Sequence, residues 1–170
     1  MKKSSVRTIT HISPCVAVLA VMSMITIPTG AVPITLQTFA VALTGAFLGA
    51  KRGSIAVLVY VLIGAVGVPV FSGFQGGAGV LFGYSGGFIW GFFPLAFLCG
   101  TLRTNRAKIP LGLMGVLICH FLGVLQYTAV SGVGLFTSIF TVSLPYLLKD
   151  FAFVIAAIYV ARILRKRIVK

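Results

Sequence analysis

Residues 110–130 read PLGLMGVLICHFLGVLQYTAV, a stretch without a single charged side chain. A helix needs about 20 mostly apolar residues to cross the hydrocarbon core of a bilayer, and this stretch supplies them. Five others share its character, at 10–28, 34–50, 54–70, 84–101 and 142–162. They are too long and too irregular in alternation for barrel strands. Backbone N–H and C=O groups in hydrocarbon must be satisfied within the segment. The reading is therefore all-α: an integral membrane bundle of six transmembrane helices, forming one domain over residues 1–170.

Composition agrees. Hydrophobic residues make up 59% of the chain and charged residues 9%, and the mean hydropathy is +1.12. A soluble domain carries about 25% charged residues to cover its surface, so a soluble enzyme does not fit. The net charge of +13 invites a nucleic-acid reading, which the placement of the cations opposes. They fall in short clusters between the apolar runs: Lys2, Lys3 and Arg7; Lys51 and Arg52; Arg103, Arg106 and Lys108; then Arg162, Arg165, Lys166, Arg167 and Lys170. With both termini cytoplasmic, these clusters put thirteen of the fourteen basic residues inside. The external segments 29–33, 71–83 and 131–141 hold none. That asymmetry is the positive-inside signature of a multi-pass plasma-membrane protein. The basic start followed by an apolar run also fits a signal peptide cleaved near Gly30 or Ala31, which leaves the other spans oriented the same way; an uncleaved first helix is the favoured reading.

The remaining cation is Lys149, and beside it stands Asp150, the one acid in the chain. Both lie in the first turns of the sixth span, on its outer side. Charge inside a membrane is costly and marks a site by default, although an interfacial pair anchoring a helix end is the plainer alternative. Neighbours on a helix point about 100° apart, so the expectation is that they are not simply a mutual salt bridge and that each meets a different polar group. The external segment Phe71–Gly87, FSGFQGGAGVLFGYSGG, is rich in glycine, which lets backbone approach a ligand closely. Gln75, Tyr84 and Ser85 offer hydrogen-bonding groups there, and Phe71, Phe74 and Trp90 offer apolar walls. Gly83, Gly87 and Gly91 also suit close helix packing. In the first external turn, Thr35, Gln37 and Thr38 open the second span, as a helix start or as a cavity lining. In the first span, Ser13, Ala17 and Ala20 form a small-residue face, suited to internal packing or to docking a partner subunit.

Several chemistries are excluded. Gly83–Gly87 matches G-x-S-x-G, but that motif needs an acid and then a histidine downstream, and no histidine follows Asp150. No Walker A pattern is present, so energy for any transport comes from elsewhere. Cys15, Cys99 and Cys119 lack metal spacing and read as small buried apolar residues; no metal site or cofactor is expected. His120, in mid-span, reads as a hydrogen-bonded structural residue ahead of a proton relay, and Gln126 and Tyr127 are candidates to face the cavity.

Val32-Pro-Ile-Thr-Leu-Gln-Thr38 resembles the VPITLQT signature of the BioY family, the biotin-binding S components of energy-coupling-factor (ECF) transporters. Gly49-Ala-Lys-Arg-Gly53, Gly67-Val-Pro-Val-Phe71 and Gly83-Tyr-Ser-Gly-Gly-Phe88 match in the same order. The resemblance implies a six-helix membrane subunit that captures biotin from outside with high affinity. It also implies association with a membrane coupling subunit and two cytosolic ATPase subunits, and no enzymatic activity. The family commonly carries Asp-x-x-Lys near the start of the last helix; here Lys149 precedes Asp150 and position 153 is Phe, and Tyr84 departs from the family's GPTGG. On this reading Lys149 pairs with the biotin carboxylate, in a charge-assisted contact. Asp150 accepts from the ureido N–H groups, Gln37, Gln75 and Tyr84 complete the polar fit, and Phe71 and Trp90 cover the rings. An S component for another small vitamin is the alternative.

Overall fold

A computed structural model of the chain describes residues 3–28, 32–101 and 105–168. Of the basic residues above, Lys2, Arg103 and Lys170 lie outside the described residues, as do the side chains of Lys3, Arg7 and Arg106; so do residues 29–31 of the first external turn.

The architecture is all-α apart from one short β ribbon. The first helix, α1, is Lys3–Met24. The strands β1 (Thr26–Ile27) and β2 (Ile34–Thr35) pair antiparallel, Thr26 opposite Thr35. Then come α2 (Gln37–Leu48) and α3 (Ala50–Ala65). A short helix α4 (Ala78–Phe82) precedes α5 (Gly86–Thr101) and α6 (Asn105–Ser131). Finally α7 (Leu135–Ser138) runs through a π turn at Ile139–Ser143 into α8 (Leu144–Ile168). The six apolar stretches each overlap one of the longer helices, while α4 and α7 are short helices that hydropathy did not separate from the loops.

The helix lengths differ from the predicted spans. By length and apolar composition, Ala107–Ser131 within α6 suffices to cross a membrane; Thr10–Met24, Gln37–Leu48 and Gly86–Thr101 are apolar but shorter. The predicted span 34–50 shrinks to the 12 residues of α2, about 18 Å at 1.5 Å per residue. The reason is local: residues 34 and 35 are taken by the ribbon with β1, and extended chain covers distance that a helix would otherwise cover. At the other end Gly49, at φ 89°, turns the chain directly into α3, a left-handed conformation that favours glycine.

Large apolar side chains lie exposed on most of the longer helices, among them Val21, Leu62, Phe97, Phe121 and Leu148. So much exposed apolar surface suits hydrocarbon and not water. Inside, α5 and α6 form the most extensive helix pair. A Cβ on Gly87 would collide with the Leu122 carbonyl, and one on Gly91 with the backbone and side chain of Cys119, as the packing expectation for these two glycines required. Gly83 meets only its own segment. Gly91→Val is therefore expected to lower stability by about 1–3 kcal/mol through overpacking. The check is the thermal midpoint of the detergent-purified variant; an unchanged midpoint would mean the two helices separate at little cost.

Charge is segregated along the bundle. Lys108 Nζ donates to the Ala46 carbonyl at 3.1 Å and Arg165 Nε to the Phe47 carbonyl at 2.7 Å. Both satisfy carbonyls of the last turn of α2, which have no partner within their own helix. Lys51 and Arg52 begin α3 beside them. Lys149 instead reaches the backbone of Thr35, before the first turn of α2. The bundle thus has a basic end and, at the opposite end of α2, a site with one cation and one acid.

Candidate functional site

A cavity of about 660 Å³, its open mouth included, lies at that second end. It is walled mostly by apolar side chains, Phe71, Phe88, Ile89, Phe92, Val116 and Val142 among them. Its polar groups come from five places: the β2–α2 junction, the loop before α4, Ser85 just before α5, the middle of α6 and the start of α8.

The charged cluster is at the α6–α8 wall. Asp150 is buried. Lys149 Nζ lies 2.7 Å from its Oδ1, so the two do form an ion pair, though not simply a mutual one. The Cβ directions do diverge, but the four-methylene Lys stem bends back to the next residue. As expected, each also meets another group. Lys149 Nζ donates to the Thr35 carbonyl at 3.3 Å and stands 5.0 Å from the centre of the Phe153 ring, a cation–π distance. Asp150 Oδ2 takes a hydrogen bond from His120 Nε2 at 3.0 Å. The His120 Nδ1 lies 2.9 Å from the Ser143 hydroxyl, within hydrogen-bond distance. His120 is buried and its ring stands edge-on to Phe88. The hydrogen-bonded role expected for it is what the structure shows. The π turn before α8 carries both Val142 and Ser143, setting one on the cavity and the other on His120.

A neutral network adjoins the charged cluster at Thr35. Gln37 is buried; its Nε2 donates to the Tyr60 hydroxyl at 2.9 Å, and its Oε1 accepts from the Thr35 hydroxyl at 3.1 Å. Tyr60 passes the chain on to the Val70 carbonyl at 3.0 Å, to which Ser23 also donates. This network fixes the Gln37 amide and ties α1, α2 and α3 to the loop that carries Phe71. Phe71 is itself buried, its ring edge-on to Tyr60 and pressed against Gly64, where a Cβ would occupy the same space. Two lining atoms, Ser72 Oγ and Asp150 Oδ1, are buried with no aligned hydrogen-bond partner in the protein. Asp150 Oδ1 is in ion-pair contact with Lys149 Nζ at 2.7 Å, so Ser72 Oγ is the lining atom of the two that is left unpaired. Leaving a buried polar atom unpaired costs about 1–3 kcal/mol, which a bound ligand can return.

Lys149, Asp150, Gln37, Gln75 and Phe71 all line the cavity. Tyr84 and Trp90 are not among its lining residues. Tyr84 is exposed and packs on Tyr127. Trp90 is partly exposed, donates to the Leu81 carbonyl at 3.2 Å and stacks on Phe93. Gln126 does not face the cavity either; it donates to the carbonyls of Leu81 and Gly83 at 2.9 and 2.8 Å and pins the glycine-rich loop to α6. Sequence reasoning missed Ser72 and Tyr146 as lining residues. Tyr146 sits one helical turn before Asp150, and its hydroxyl donates to the Val32 carbonyl at 2.7 Å. That i, i+4 spacing was the available signal.

Known proteins resemble this chain throughout its length. A sequence model of the BioY family matches residues 1–170. The biotin transporter BioY of Thermotoga maritima is 45% identical over 112 residues, a stretch covering 64% of this chain and 66% of that protein. The probable biotin transporter BioY of Pyrococcus horikoshii is 35% identical over 147 residues, 86% of this chain and 88% of its own. Among solved structures, the crystal structure at 2.1 Å of the S-component for biotin from an ECF-type ABC transporter superposes with a TM-score of 0.88. It is 28% identical and covers 98% of this chain and 95% of its own.

Proposed function

The chain belongs to the BioY family, and from that premise we propose that it is the biotin-capturing membrane subunit of an ECF-type vitamin transporter. One observation carries the reading for this chain's own residues. The only acid in the sequence and the only cation outside the basic clusters meet in a cavity. Its walls are otherwise apolar or neutral. Biotin asks for this combination: fused apolar rings, a ureido group with N–H donors and a carbonyl acceptor, and a short alkyl chain ending in a carboxylate. Asp150, Lys149, Gln37 and Gln75 supply the polar contacts, and Phe71 covers the rings.

The chain is a multi-pass protein of the plasma membrane, with both termini and the basic end cytoplasmic and the cavity opening outside. The chain acts by binding and movement, without catalysis or a cofactor. A membrane coupling subunit and two cytosolic ATPases drive the loaded site inward. Their contact is the small-residue face of α1, where Ser13 and Ala17 are exposed and Ala20 is half-buried.

The test is calorimetric titration of the detergent-purified chain with biotin. The expected dissociation constant is below about 1 μM, or roughly −8 kcal/mol. Absence of saturable binding, in protein that retains its helical spectrum, would reject the reading.

A further inference from the structure

The basic end of the bundle has no acidic side chain to balance it. Lys51 and Arg52 stand in the first turn of α3, Lys108 is on α6, and the last turns of α8 carry four more cations. The one acid of the chain, Asp150, is in the cavity against Lys149. It lies about 22 Å from Arg165 along α8 at 1.5 Å per residue, and exposed charges are screened beyond about 8 Å. The cations therefore repel one another, and the anion that relieves them comes from outside the chain.

Four of them gather at one turn. Lys108 Nζ and Arg165 Nε donate to the neighbouring carbonyls of Ala46 and Phe47, and just beyond these Gly49 turns the chain from α2 into α3. Arg165 Nη2 lies 3.9 Å from where a Cβ on Gly49 would stand, and the Gly100 carbonyl oxygen lies 4.0 Å from that point; no other packed atom is so near. The turn is thus open, edged by a guanidinium, and runs straight into the exposed Lys51 and Arg52. Lys108 is buried and adds its charge from behind. Its ammonium has three N–H donors and one acceptor among the described residues.

What extends from the turn selects the kind of anion. Lys51, Ile55, Leu58 and Leu62 follow at spacings that put them on one stripe of α3, and all four are exposed. A cation therefore heads an apolar track about 16 Å long. A free phosphate or an acidic protein segment would match the cation and leave the track bare. A phospholipid matches both.

We propose that the Gly49 turn, with Lys51, Arg52 and Arg165 around it and Lys108 behind it, binds the headgroup of an anionic phospholipid of the cytoplasmic leaflet, one acyl chain lying along Ile55, Leu58 and Leu62. The guanidinium fork suits phosphate oxygens, in charge-assisted contacts. Bound lipid relieves the repulsion and ties α2, α3 and α8 together where their ends meet. Nothing in this depends on the vitamin; it rests on the placement of the chain in the membrane.

The experiment is the thermal midpoint of the full-length chain in vesicles, without biotin. Phosphatidylcholine vesicles are compared with vesicles that also contain phosphatidylglycerol. A ligand that binds the folded state raises the midpoint, here by about 5 °C or more. Combining Lys51→Gln with Arg52→Gln is expected to leave the midpoint in phosphatidylcholine at least as high as the parent's and to remove most of the rise. Combining Lys166→Gln with Arg167→Gln removes the same charge from the tail and is expected to keep the rise. Absence of a rise in the parent overturns the inference, as does a rise that survives in the Lys51 and Arg52 variant. A rise lost equally in the tail variant overturns it too, since that is diffuse attraction to a charged surface. An equal rise from soluble glycerophosphoglycerol added to phosphatidylcholine vesicles would make the ligand a free anion. A rise with poly-glutamate and none with phosphatidylglycerol would assign the basic end to an acidic protein segment. Either result rejects the lipid. A chain that floats with neither vesicle overturns the membrane placement itself.

Discussion

Replacing Asp150 by Ala is expected to lower biotin affinity at least a hundredfold. Three losses combine. The ligand forfeits a hydrogen bond to a charged acceptor, about 1.5–3 kcal/mol. Lys149, only 22% accessible at its side chain, becomes a cation with no anion in the whole chain to pair with, and breaking a buried pair by removing one partner costs about 3–5 kcal/mol. His120 loses the acceptor that orients it, and with it the order of the α6–α8 wall. Part of that sum appears as lower stability of the free protein. The remainder, about 3 kcal/mol, corresponds to roughly a hundredfold in affinity. Asp150→Asn separates charge from shape. It preserves volume and an acceptor oxygen but cannot balance Lys149, and it should fall close to the alanine variant. Asp150→Glu keeps the charge and should fall less far. The measurements are calorimetric titrations beside a thermal unfolding midpoint for each variant. Affinity within threefold of the parent, in an alanine variant folded at the titration temperature, would remove Asp150 from the site.

Counting was enough to find the pair. In a chain with one acid, and with thirteen of its fourteen cations in four clusters, Lys149 and Asp150 stand out without any structure. The apolar stretches that become the longer helices are legible for the same reason: burying the backbone in hydrocarbon demands long runs, and long runs are visible. What surrounds the pair was not legible. His120 lies 30 positions from Asp150, and nothing local tells a histidine that it faces a carboxylate on another helix. The π turn at Ile139–Ser143 shifts the phase of the residues entering α8, and a regular period cannot anticipate an added residue. Trp90 shows how phase decides. It was placed in the cavity by nearness in sequence, yet Phe88, Ile89 and Phe92 form the lining face of α5. At about 100° per residue, position 90 turns away from them. The closeness of the Lys149–Asp150 contact, 2.7 Å, comes from the reach of the lysine stem, which backbone directions alone do not show.

Substituting Ala17 by Trp is expected to leave biotin binding within threefold of the parent and to cut uptake into cells more than tenfold. The separation follows from where α1 puts its residues. Ile12, Val16 and Leu19 are buried and hold the helix to the core, while Ser13 and Ala17 face outward. A bulky ring at 17 lies in a shallow groove that Ala17 lines with Val59, Tyr60 and Ile63 of α3, and it sits on a different helix from Lys149 and Asp150. What it obstructs is the close approach that a small residue permits, and in membranes such approach is a chief source of helix–helix affinity. The chain carries no nucleotide-binding motif of the Walker A type, and on the docking proposed above the energy for inward movement of the loaded site would pass through that contact. Ser13→Trp should act alike. Ala20→Trp should also disturb folding, because Ala20 packs against the core, and it serves as the contrast. Binding is read by calorimetry and uptake with labelled biotin in cells that supply the energising subunits. Normal uptake by the Ala17 variant would move the docking face off α1. A parallel fall in binding and uptake would mean that position 17 supports the cavity rather than a partner.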